Sequence, residues 1–277
     1  MTETASQVVL EVRSLRKEFG EAVAVDDVSF QVLRGRSLGI VGESGSGKTT
    51  VAKMIVGLER PTLGEVSACG RDRSRPARAA RERRRRGREV QIVFQDPYSS
   101  LDPRQPVDSV LDEVLQLHHE MSATARRDRV AELVDLVGLD ERQGRALPRA
   151  LSGGQRQRVA IARALAAEPE MIILDESVAA LDVSIQAQIL NLLADVRDRL
   201  GVSYLLISHD LAVVRQLTDD VVVMRRGKIV EAGETDRVLD DPQHPYTQRL
   251  RASVPGPGWS IERVREAAAL GRLEDSA

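Results

Sequence analysis

Three things are scarce in this sequence: aromatic side chains, cysteine and an excess of either charge. Aromatic residues make up 3% of the 277 residues, so aliphatic side chains must fill most of the core that its 42% apolar residues can build. The single cysteine, Cys69, can form neither an internal disulfide nor a metal cluster by itself. We therefore expect a reducing compartment.

The balance of charge and the distribution of apolar residues exclude further classes. The formal net charge is −2, from 40 basic and 42 acidic residues, whereas nucleic-acid binders usually have a basic excess. We expect no nucleic-acid partner. The first residues do not resemble a signal peptide, and no run approaches the roughly 18 apolar residues that a spanning helix needs. Any role at a membrane is expected to pass through a partner.

Short aliphatic runs alternate with helical patterns, which predicts an α/β fold with a mostly parallel sheet, an antiparallel β part and an inserted helical subdomain. The predicted strands are Val8–Val12, Val28–Val32, Ser37–Val41, Val90–Phe94, Met171–Leu174, Tyr204–Ile207, Val221–Met224 and Lys228–Glu231. The predicted helices are Lys48–Leu58, Ser152–Ala167 and Ser184–Leu200. We expect residues 1–95 and 163–235 to form a discontinuous core, residues 96–162 the helical subdomain and residues 236–277 a C-terminal extension. The chain is expected to become this extension after about Gly233, with a loop at residues 253–258 and a polar helix or a frayed tail at the end.

The densest run of one charge is Arg71–Arg88, which contains ten arginines and two acidic residues. Runs of this kind are usually solvated loops, and a solvated loop is the expectation here. Binding to anionic lipid or to nucleic acid is the alternative.

One segment matches the phosphate-binding pattern G-x-x-x-x-G-K-[ST], with an apolar strand before it and a helix after it. Glycines let the backbone wrap with its N–H groups towards phosphate oxygens, and the helix start adds a positive dipole end. Lys48 offers a charge to the β- and γ-phosphates, and the Thr49 hydroxyl can ligate Mg²⁺. We therefore expect ATP binding and hydrolysis; a glycine-rich turn that binds nothing is the alternative. The expected nucleotide contacts are Gly42, Glu43, Ser44, Gly45, Ser46, Gly47, Lys48, Thr49 and Thr50.

Two acidic residues end the apolar run Met171–Leu174. Such a run indicates a strand buried on both faces of a parallel sheet, and ligands bind beyond the carboxyl ends of these strands. We therefore expect Asp175 to hold Mg²⁺ beside the phosphate loop and Glu176 to activate the attacking water as general base. The alternative is an acidic turn.

A second glycine-rich segment, Leu151–Gln155, opens an apolar-periodic helix. Ser152 is a natural N-cap, and Gly153 and Gly154 leave N–H groups open to an anion. A Ser-Gly-Gly helix start is often only a turn. In its setting, however, the sequence resembles the ATP-binding subunits of ABC transporters, whose signature is LSGGQ, over roughly residues 8–255.

The resemblance implies a P-loop NTPase core of the RecA-like type and roles for further residues. Gln95 matches the Q-loop glutamine, which touches Mg²⁺, acts in catalysis and couples to the membrane subunit. Ala180, Leu181 and Asp182 match the D-loop, and His209 the switch histidine that contacts the γ-phosphate. Phe19 stands where the family has an aromatic residue that stacks on adenine. Taken alone, Gln95 could be a surface residue, Asp182 or His209 a helix cap and Phe19 part of the core.

Two stretches, residues 94–103 and 243–250, resemble the oligopeptide/dipeptide importer branch. The resemblance implies a peripheral motor subunit at the cytoplasmic face of the membrane, working with permease subunits and, indirectly, a solute-binding protein. It implies a second ATP-binding subunit, whose Ser152–Gln155 equivalent closes the site head to tail. The cysteine-rich cluster of some members is absent from the sequence, so this chain resembles the cluster-free partner.

Other functions stay open at this point. A soluble ABC protein acting on ribosomes or DNA usually has two cassettes or a coiled-coil insertion, and neither is visible. A non-hydrolytic regulatory subunit is disfavoured by Glu176 and His209, and a P-loop kinase or GTPase by the 151–155 signature. Peptides are the expected cargo, with metal chelates, sugars and glutathione-like compounds as alternatives. Whether the working pair is a homodimer or a heterodimer is open.

Overall fold

The computed structural model describes residues 7–96, 101–178 and 182–253. Its strands are β1 Val8–Phe19, β2 Ala22–Leu33, β3 Ser37–Val41, β4 Leu63–Ala68, β5 Arg71–Asp72, β6 Val90–Val93, β7 Met171–Asp175, β8 Ser203–Ser208, β9 Asp220–Arg225 and β10 Lys228–Glu234. Its helices are α1 Lys48–Val56, α2 Ala80–Glu89, α3 Val107–His118, α4 Ala123–Leu136, α5 Glu141–Gly144, α6 Gly153–Ala166, α7 Val183–Leu200, α8 Leu211–Leu217, α9 Thr235–Asp240 and α10 Pro245–Ala252, with a 3₁₀ turn at Pro148–Ala150.

The larger sheet has the strand order β10-β9-β3-β8-β7-β6. All neighbours in it are parallel except β9 and β10, which form an antiparallel hairpin. The prediction of a mostly parallel α/β sheet is therefore confirmed. The carboxyl ends of β3, β6, β7 and β8 lie at one edge, so the loops that follow them meet there.

The smaller sheet has the order β2-β1-β4-β5 and is antiparallel throughout, which confirms the predicted antiparallel part. Its first two strands are much longer than the predicted runs at Val8–Val12 and Val28–Val32. They continue to a tight hairpin where Phe19 pairs with Ala22 across Gly20. Charged and polar residues occupy most of the added length of β1, so no apolar pattern marked it.

The parallel sheet separates two hydrophobic layers. Ile172 and Leu174 of β7 belong to a cluster on one face that includes side chains of α3, α4 and α6 to α10. Met171 and Ile173 of the same strand pack with α1 and the antiparallel sheet on the other. Both faces of β7 are buried, which is why its sequence is continuously apolar.

Within the predicted helical subdomain, residues 101–162 form α3, α4, α5, the 3₁₀ turn and most of α6, with short connections between them. Ser122 caps α4 by accepting a hydrogen bond from the Ala125 backbone. Apolar side chains on α3, α4 and α6 join the hydrophobic layer on that face of the parallel sheet. Among the helices in the described ranges, none combines the length and hydropathy needed to cross a bilayer.

The prediction of a solvated loop at Arg71–Arg88 is wrong about the loop, because most of this run is regular secondary structure, although most of its side chains are exposed. It begins with β5 and continues into α2, which ends at Glu89. The Glu89 carboxylate accepts from Arg73 at 2.7 Å and from Arg71 at 2.5 Å. Arg73 and Glu89 are both buried. This ion pair joins the start of the run to the residue that follows its end. No local sequence pattern predicts a contact between residues 16 positions apart.

The expected extension after Gly233 is also folded. Helices α9 and α10 place Val238, Leu239 and Tyr246 in the main hydrophobic cluster. The loop predicted at residues 253–258 and the polar tail after it lie, apart from Ser253, outside the described residues.

The helix predicted at Lys48–Leu58 is slightly shorter in the structure. Helix α1 ends at Val56, and Gly57 after it has a left-handed backbone.

The buried ion pair of Arg73 and Glu89 leads to a prediction on stability. Glu89→Gln leaves the Arg73 guanidinium without its counter-charge in a buried setting, so we expect the free energy of unfolding to fall by about 3 kcal/mol. Urea denaturation followed by circular dichroism measures this change. The control Glu141→Gln breaks an exposed pair with Arg145 and is expected to change stability by less than about 0.5 kcal/mol. Equal effects of the two variants would contradict the assignment.

Candidate functional site

The phosphate-loop candidate connects the end of β3 to the start of α1, at the edge where the carboxyl ends of the parallel strands meet. Ser46 and Lys48 are buried, whereas most other side chains of the segment are exposed or partly exposed. The backbone rather than the side chains therefore shapes the segment. Its residues are Gly42, Glu43, Ser44, Gly45, Ser46, Gly47, Lys48, Thr49 and Thr50.

Two glycines of the loop are required by their surroundings. Gly42 has φ 153° and Gly47 has φ 102°, conformations that side chains rarely allow. A Cβ at Gly42 would overlap the backbone carbonyl of Met224, and one at Gly47 would overlap the carbonyl of Ala24. The loop thus lies against β9 on one side and β2 on the other. Gly47, the N-cap of α1, offers no side-chain cap, so N–H groups of the first helical turn are available to an anion.

The Lys48 ammonium lies across the loop. Its Nζ donates to the carbonyl oxygens of Gly42 at 2.8 Å and Glu43 at 2.9 Å. Burial lowers the pKa of Lys48, and the carboxylates of Glu176, Asp175 and Glu43 act against this shift. A desolvated ammonium held inside a glycine loop is well suited to bind phosphate oxygens.

Thr49 and Asp175 come together across the sheet edge. The Thr49 hydroxyl donates to Asp175 Oδ1 at 3.2 Å, although the residues are 126 positions apart. Burial raises the pKa of Asp175, the Thr49 hydrogen bond lowers it, and the neighbouring Glu176 charge raises it further. A hydroxyl and a carboxylate with this spacing are hard oxygen donors, which are the ligands that Mg²⁺ prefers.

Glu176 and His209 form a second pair at the same edge. Glu176 Oε1 lies 3.5 Å from His209 Nδ1, and the Glu176 backbone N–H donates to the Ile207 carbonyl at 2.9 Å. The backbone of Glu176 is left-handed, with φ 47°, which is strained for a residue other than glycine. The Glu176 carboxylate is close enough to the phosphate loop for its charge to act against the lowering of the pKa of Lys48 by burial.

Gln95 and Phe19 lie on other elements. Gln95 follows β6, which pairs in parallel with β7 at Val93 and Leu174, and its side chain is exposed. Phe19 ends β1 in the hairpin that continues as β2, the strand whose Ala24 carbonyl abuts the loop. The Phe19 ring is 49% exposed, with Lys17 Nζ 4.6 Å from its centroid. It is therefore available for stacking and is not part of the core.

The signature segment lies on the helical part of the chain. The Ser152 hydroxyl accepts from Gln155 N at 3.3 Å, and Gln155 Oε1 accepts from Ser152 N at 2.8 Å, which completes a capping box at the start of α6. Gly153 opens the helix, and a Cβ at Gly154 would overlap Ile185 of α7. The exposed Ser152 side chain leaves this helix start at the surface.

Asp182 occupies the N-cap position of α7, but its side chain makes no capping hydrogen bond. The other two residues of the predicted D-loop, Ala180 and Leu181, lie outside the described residues. The structure therefore brings together the phosphate loop, Asp175, Glu176 and His209. The signature segment lies on separate elements: it opens α6, Gly154 packs against α7, and Leu151 joins the main hydrophobic cluster.

One contact to the loop was not predicted. The Tyr246 hydroxyl of α10 accepts a hydrogen bond from the Glu43 backbone N–H at 3.0 Å. Burial raises the pKa of Tyr246, so the phenol is neutral near pH 7. A lone tyrosine after Pro245 in a polar terminal segment was the available signal, because an aromatic residue in such a segment needs a place to be buried.

Two family models match the chain. The model described as ABC transporter matches residues 25–179. The model described as oligopeptide/dipeptide transporter, C-terminal region, matches residues 230–273. The first of these ranges holds the phosphate loop, the signature segment and the Asp175–Glu176 pair, and the second holds Tyr246.

Two curated transport proteins are similar in sequence to this chain over most of its length. The oligopeptide transport ATP-binding protein OppD of Mycobacterium tuberculosis is 48% identical over 88% of this chain, and the chain spans 39% of that protein's length. The dipeptide transport ATP-binding protein DppF of Haemophilus influenzae is 44% identical over 87% of this chain and 74% of its own length.

A solved structure agrees with the fold. The ATP-binding cassette MJ0796, in a dimeric post-hydrolysis state bound to ADP and Pi, superposes with a TM-score of 0.72. It is 30% identical and covers 82% of this chain and 98% of its own. The predicted P-loop NTPase fold is thereby confirmed.

The glycine contacts predict unequal effects of two similar substitutions. Gly45→Ala meets only the cost of a positive φ, since a Cβ at this position would have no other atom within 4 Å. Gly47→Ala has the same kind of backbone strain and also displaces the Ala24 carbonyl. We expect Gly47→Ala to lower the free energy of unfolding by about 2 kcal/mol more than Gly45→Ala in urea titrations. Equal losses would show that the loop does not lie against β2.

Proposed function

The chain belongs to the ABC transporter family, and from this we propose that it is the ATP-binding and ATP-hydrolysing motor subunit of an importer. Oligopeptides, dipeptides or related small solutes are its proposed cargo, in line with the names of its relatives and the C-terminal family match. These names favour transport over an ATPase acting on ribosomes or DNA. The observation that carries the proposal is the convergence of the phosphate loop, Asp175, Glu176 and His209 at one sheet edge.

We assign ATP to the loop at Gly42–Thr49. The open N–H groups of the loop and the α1 start would bind phosphate oxygens, and Lys48 would exchange its carbonyl partners for the β- and γ-phosphates. Thr50 lies in the first turn of α1, next to these groups. The exposed ring of Phe19 would stack on the adenine, since the hairpin carrying it abuts the loop.

The donor set beside the loop fits Mg²⁺. Thr49 Oγ1 and Asp175 Oδ1 are hard oxygen donors 3.2 Å apart, and Gln95 would add an amide oxygen from the neighbouring strand end. When bound, Mg²⁺ would neutralise part of the charge on the phosphates during transfer. The buried Asp175 carboxyl has a raised pKa, and a nearby cation would favour its ionised form.

Glu176 is the proposed general base. Its partly exposed carboxylate stands beside the loop on a strained turn and would accept a proton from the water that attacks the γ-phosphate. His209 lies close enough to hold Glu176 in place and to contact the γ-phosphate itself. Gln95 would help to orient the same water.

The site is proposed to be half of a composite. The exposed start of α6, at Ser152–Gln155, offers N–H groups and a helix dipole to the γ-phosphate held by a second ATP-binding subunit. Asp182, with no capping bond of its own, would line the same interface. The dimeric state of MJ0796 supports this arrangement. Closure would be favoured only while the γ-phosphate is present, which converts hydrolysis into motion.

The proposed roles of the different parts of the chain follow the predicted domains. Residues 1–95 and 163–235 would hold the nucleotide, residues 96–162 would signal, and residues 236–277 would form the C-terminal region. Gln95 stands at the first boundary and would pass the motion to permease subunits. We place the chain at the cytoplasmic face of the membrane, bound peripherally to that permease, with a solute-binding protein delivering cargo. The second ATP-binding subunit is either another copy or a related chain.

The general-base assignment predicts a separation of binding from turnover. Glu176→Gln keeps the shape of the site but removes the proton acceptor, so we expect ATP affinity within about threefold of the parent and steady-state hydrolysis reduced at least about 100-fold. Equilibrium titration and a phosphate-release assay measure the two quantities. Glu132→Gln, an exposed helical glutamate paired with Arg129, is the control and should leave both unchanged. Normal turnover by Glu176→Gln would remove Glu176 from this role.

The transport assignment predicts a membrane partner. Affinity purification of the tagged full chain from gently solubilised membranes should recover an integral membrane permease and a second ATP-binding chain, identified by mass spectrometry. The tag alone should recover neither. Recovery of ribosomes with no integral membrane protein would contradict the importer and favour the soluble alternative.

A further inference from the structure

The C-terminal helix α10 contacts the phosphate loop through one hydroxyl group. Tyr246 is 2% exposed, and its hydroxyl accepts from the Glu43 N–H at 3.0 Å across 203 positions of sequence. Arg225 lies over its ring, 5.2 Å from the centroid. The preceding residue, Met224, supplies the carbonyl against which Gly42 packs. Tyr246 therefore belongs to the wall that holds the start of the loop.

This hydrogen bond acts on a single peptide unit. The carbonyl of Gly42 and the N–H of Glu43 belong to the same plane and point in opposite directions. Lys48 Nζ binds the carbonyl at 2.8 Å, while Tyr246 binds the N–H. Rotation of this peptide would break both bonds. By holding the N–H outward, Tyr246 keeps the carbonyl turned inward to the ammonium that is to meet the phosphates.

Tyr246 is itself held by a short network. The Glu231 carboxylate of β10 accepts from the backbone N–H groups of Gln243 at 2.8 Å and His244 at 3.1 Å. His244 Nδ1 accepts from the Tyr246 N–H at 3.1 Å and so caps α10. These bonds fix the start of α10 against the β9–β10 hairpin. The phenol is therefore presented to the loop in a defined position.

We propose that Tyr246 is a positioning residue for ATP binding, through which the C-terminal region sets the conformation of the phosphate loop. The proposal rests on the assignment of Gly42–Thr49 as the ATP site. Tyr246 acts through the peptide between Gly42 and Glu43 and touches no phosphate. Its loss should therefore weaken binding in the ground state and leave the chemical step of the bound nucleotide largely intact.

The test compares two tyrosines that each lose one buried hydroxyl in the full chain. The Tyr204 hydroxyl donates to the Leu193 carbonyl at 2.8 Å, on the helical side of the sheet. For Tyr246→Phe we expect the Kd and the KM for ATP to rise about three- to tenfold, with kcat within about twofold. For Tyr204→Phe we expect both constants unchanged. Equal constants for Tyr246→Phe and the parent, or the same change in both variants, would overturn the proposal.

Two further variants separate the ways in which the test can fail. Glu231→Gln weakens the bonds at the start of α10 and keeps Tyr246. A rise in its Kd for ATP supports the network. An unchanged Kd overturns the claim that this network holds Tyr246 against the loop. Lys48→Ala should bind ATP far more weakly than either variant. A parent chain that binds no ATP would reject the proposed function, whereas a parent that binds ATP no more tightly than Tyr246→Phe would reject only the role of Tyr246.

Discussion

The close approach of the backbone at Gly42 and Gly47 to two carbonyl groups is the constraint on which the candidate site depends. Met224 of β9 and Ala24 of β2 leave no room for a Cβ at either glycine, so the loop is held between the two sheets. Close packing of this kind fixes the backbone conformation of the loop before any ligand binds. Preorganised donors need little rearrangement when an anion binds, which is the basis of their strength.

The topology of the parallel sheet explains how distant residues reach that point. β3, β8 and β7 are adjacent and parallel, and each ends at the same edge. Thr49 after β3, Asp175 at the end of β7 and His209 after β8 thus become neighbours, although the chain separates them by long segments. The order of the strands thus brings together the proposed proton acceptor, the proposed metal ligands and the phosphate loop. The helical region then adds a second helix start suited to an anion, at Ser152, which is built on separate elements.

Much of this was predictable from sequence because the informative patterns are local. The phosphate loop, the acidic pair and the cap at Ser152 are each written in fewer than about ten consecutive residues, and β3 was predicted to the residue. The failures share another origin. The buried pair of Arg73 and Glu89 and the bond from Tyr246 to the phosphate loop join residues far apart, and no periodicity reports a single long-range hydrogen bond. An arginine-rich sequence predicts side chains that are exposed to solvent. Only the fold shows that the Glu89 carboxylate holds one arginine of the run, Arg73, in a buried position.

The loop at residues 42–49 is proposed to bind the phosphates of ATP through its backbone N–H groups, other than that of Glu43, which donates to Tyr246. Amide hydrogen exchange, followed by mass spectrometry with and without ATP and Mg²⁺, measures those groups directly. We predict strong protection by ATP in peptides covering residues 42–50, with little change in peptides covering α3 and α4. Saturating ATP that leaves exchange in residues 42–50 unchanged, or protects another part of the chain instead, would contradict the account.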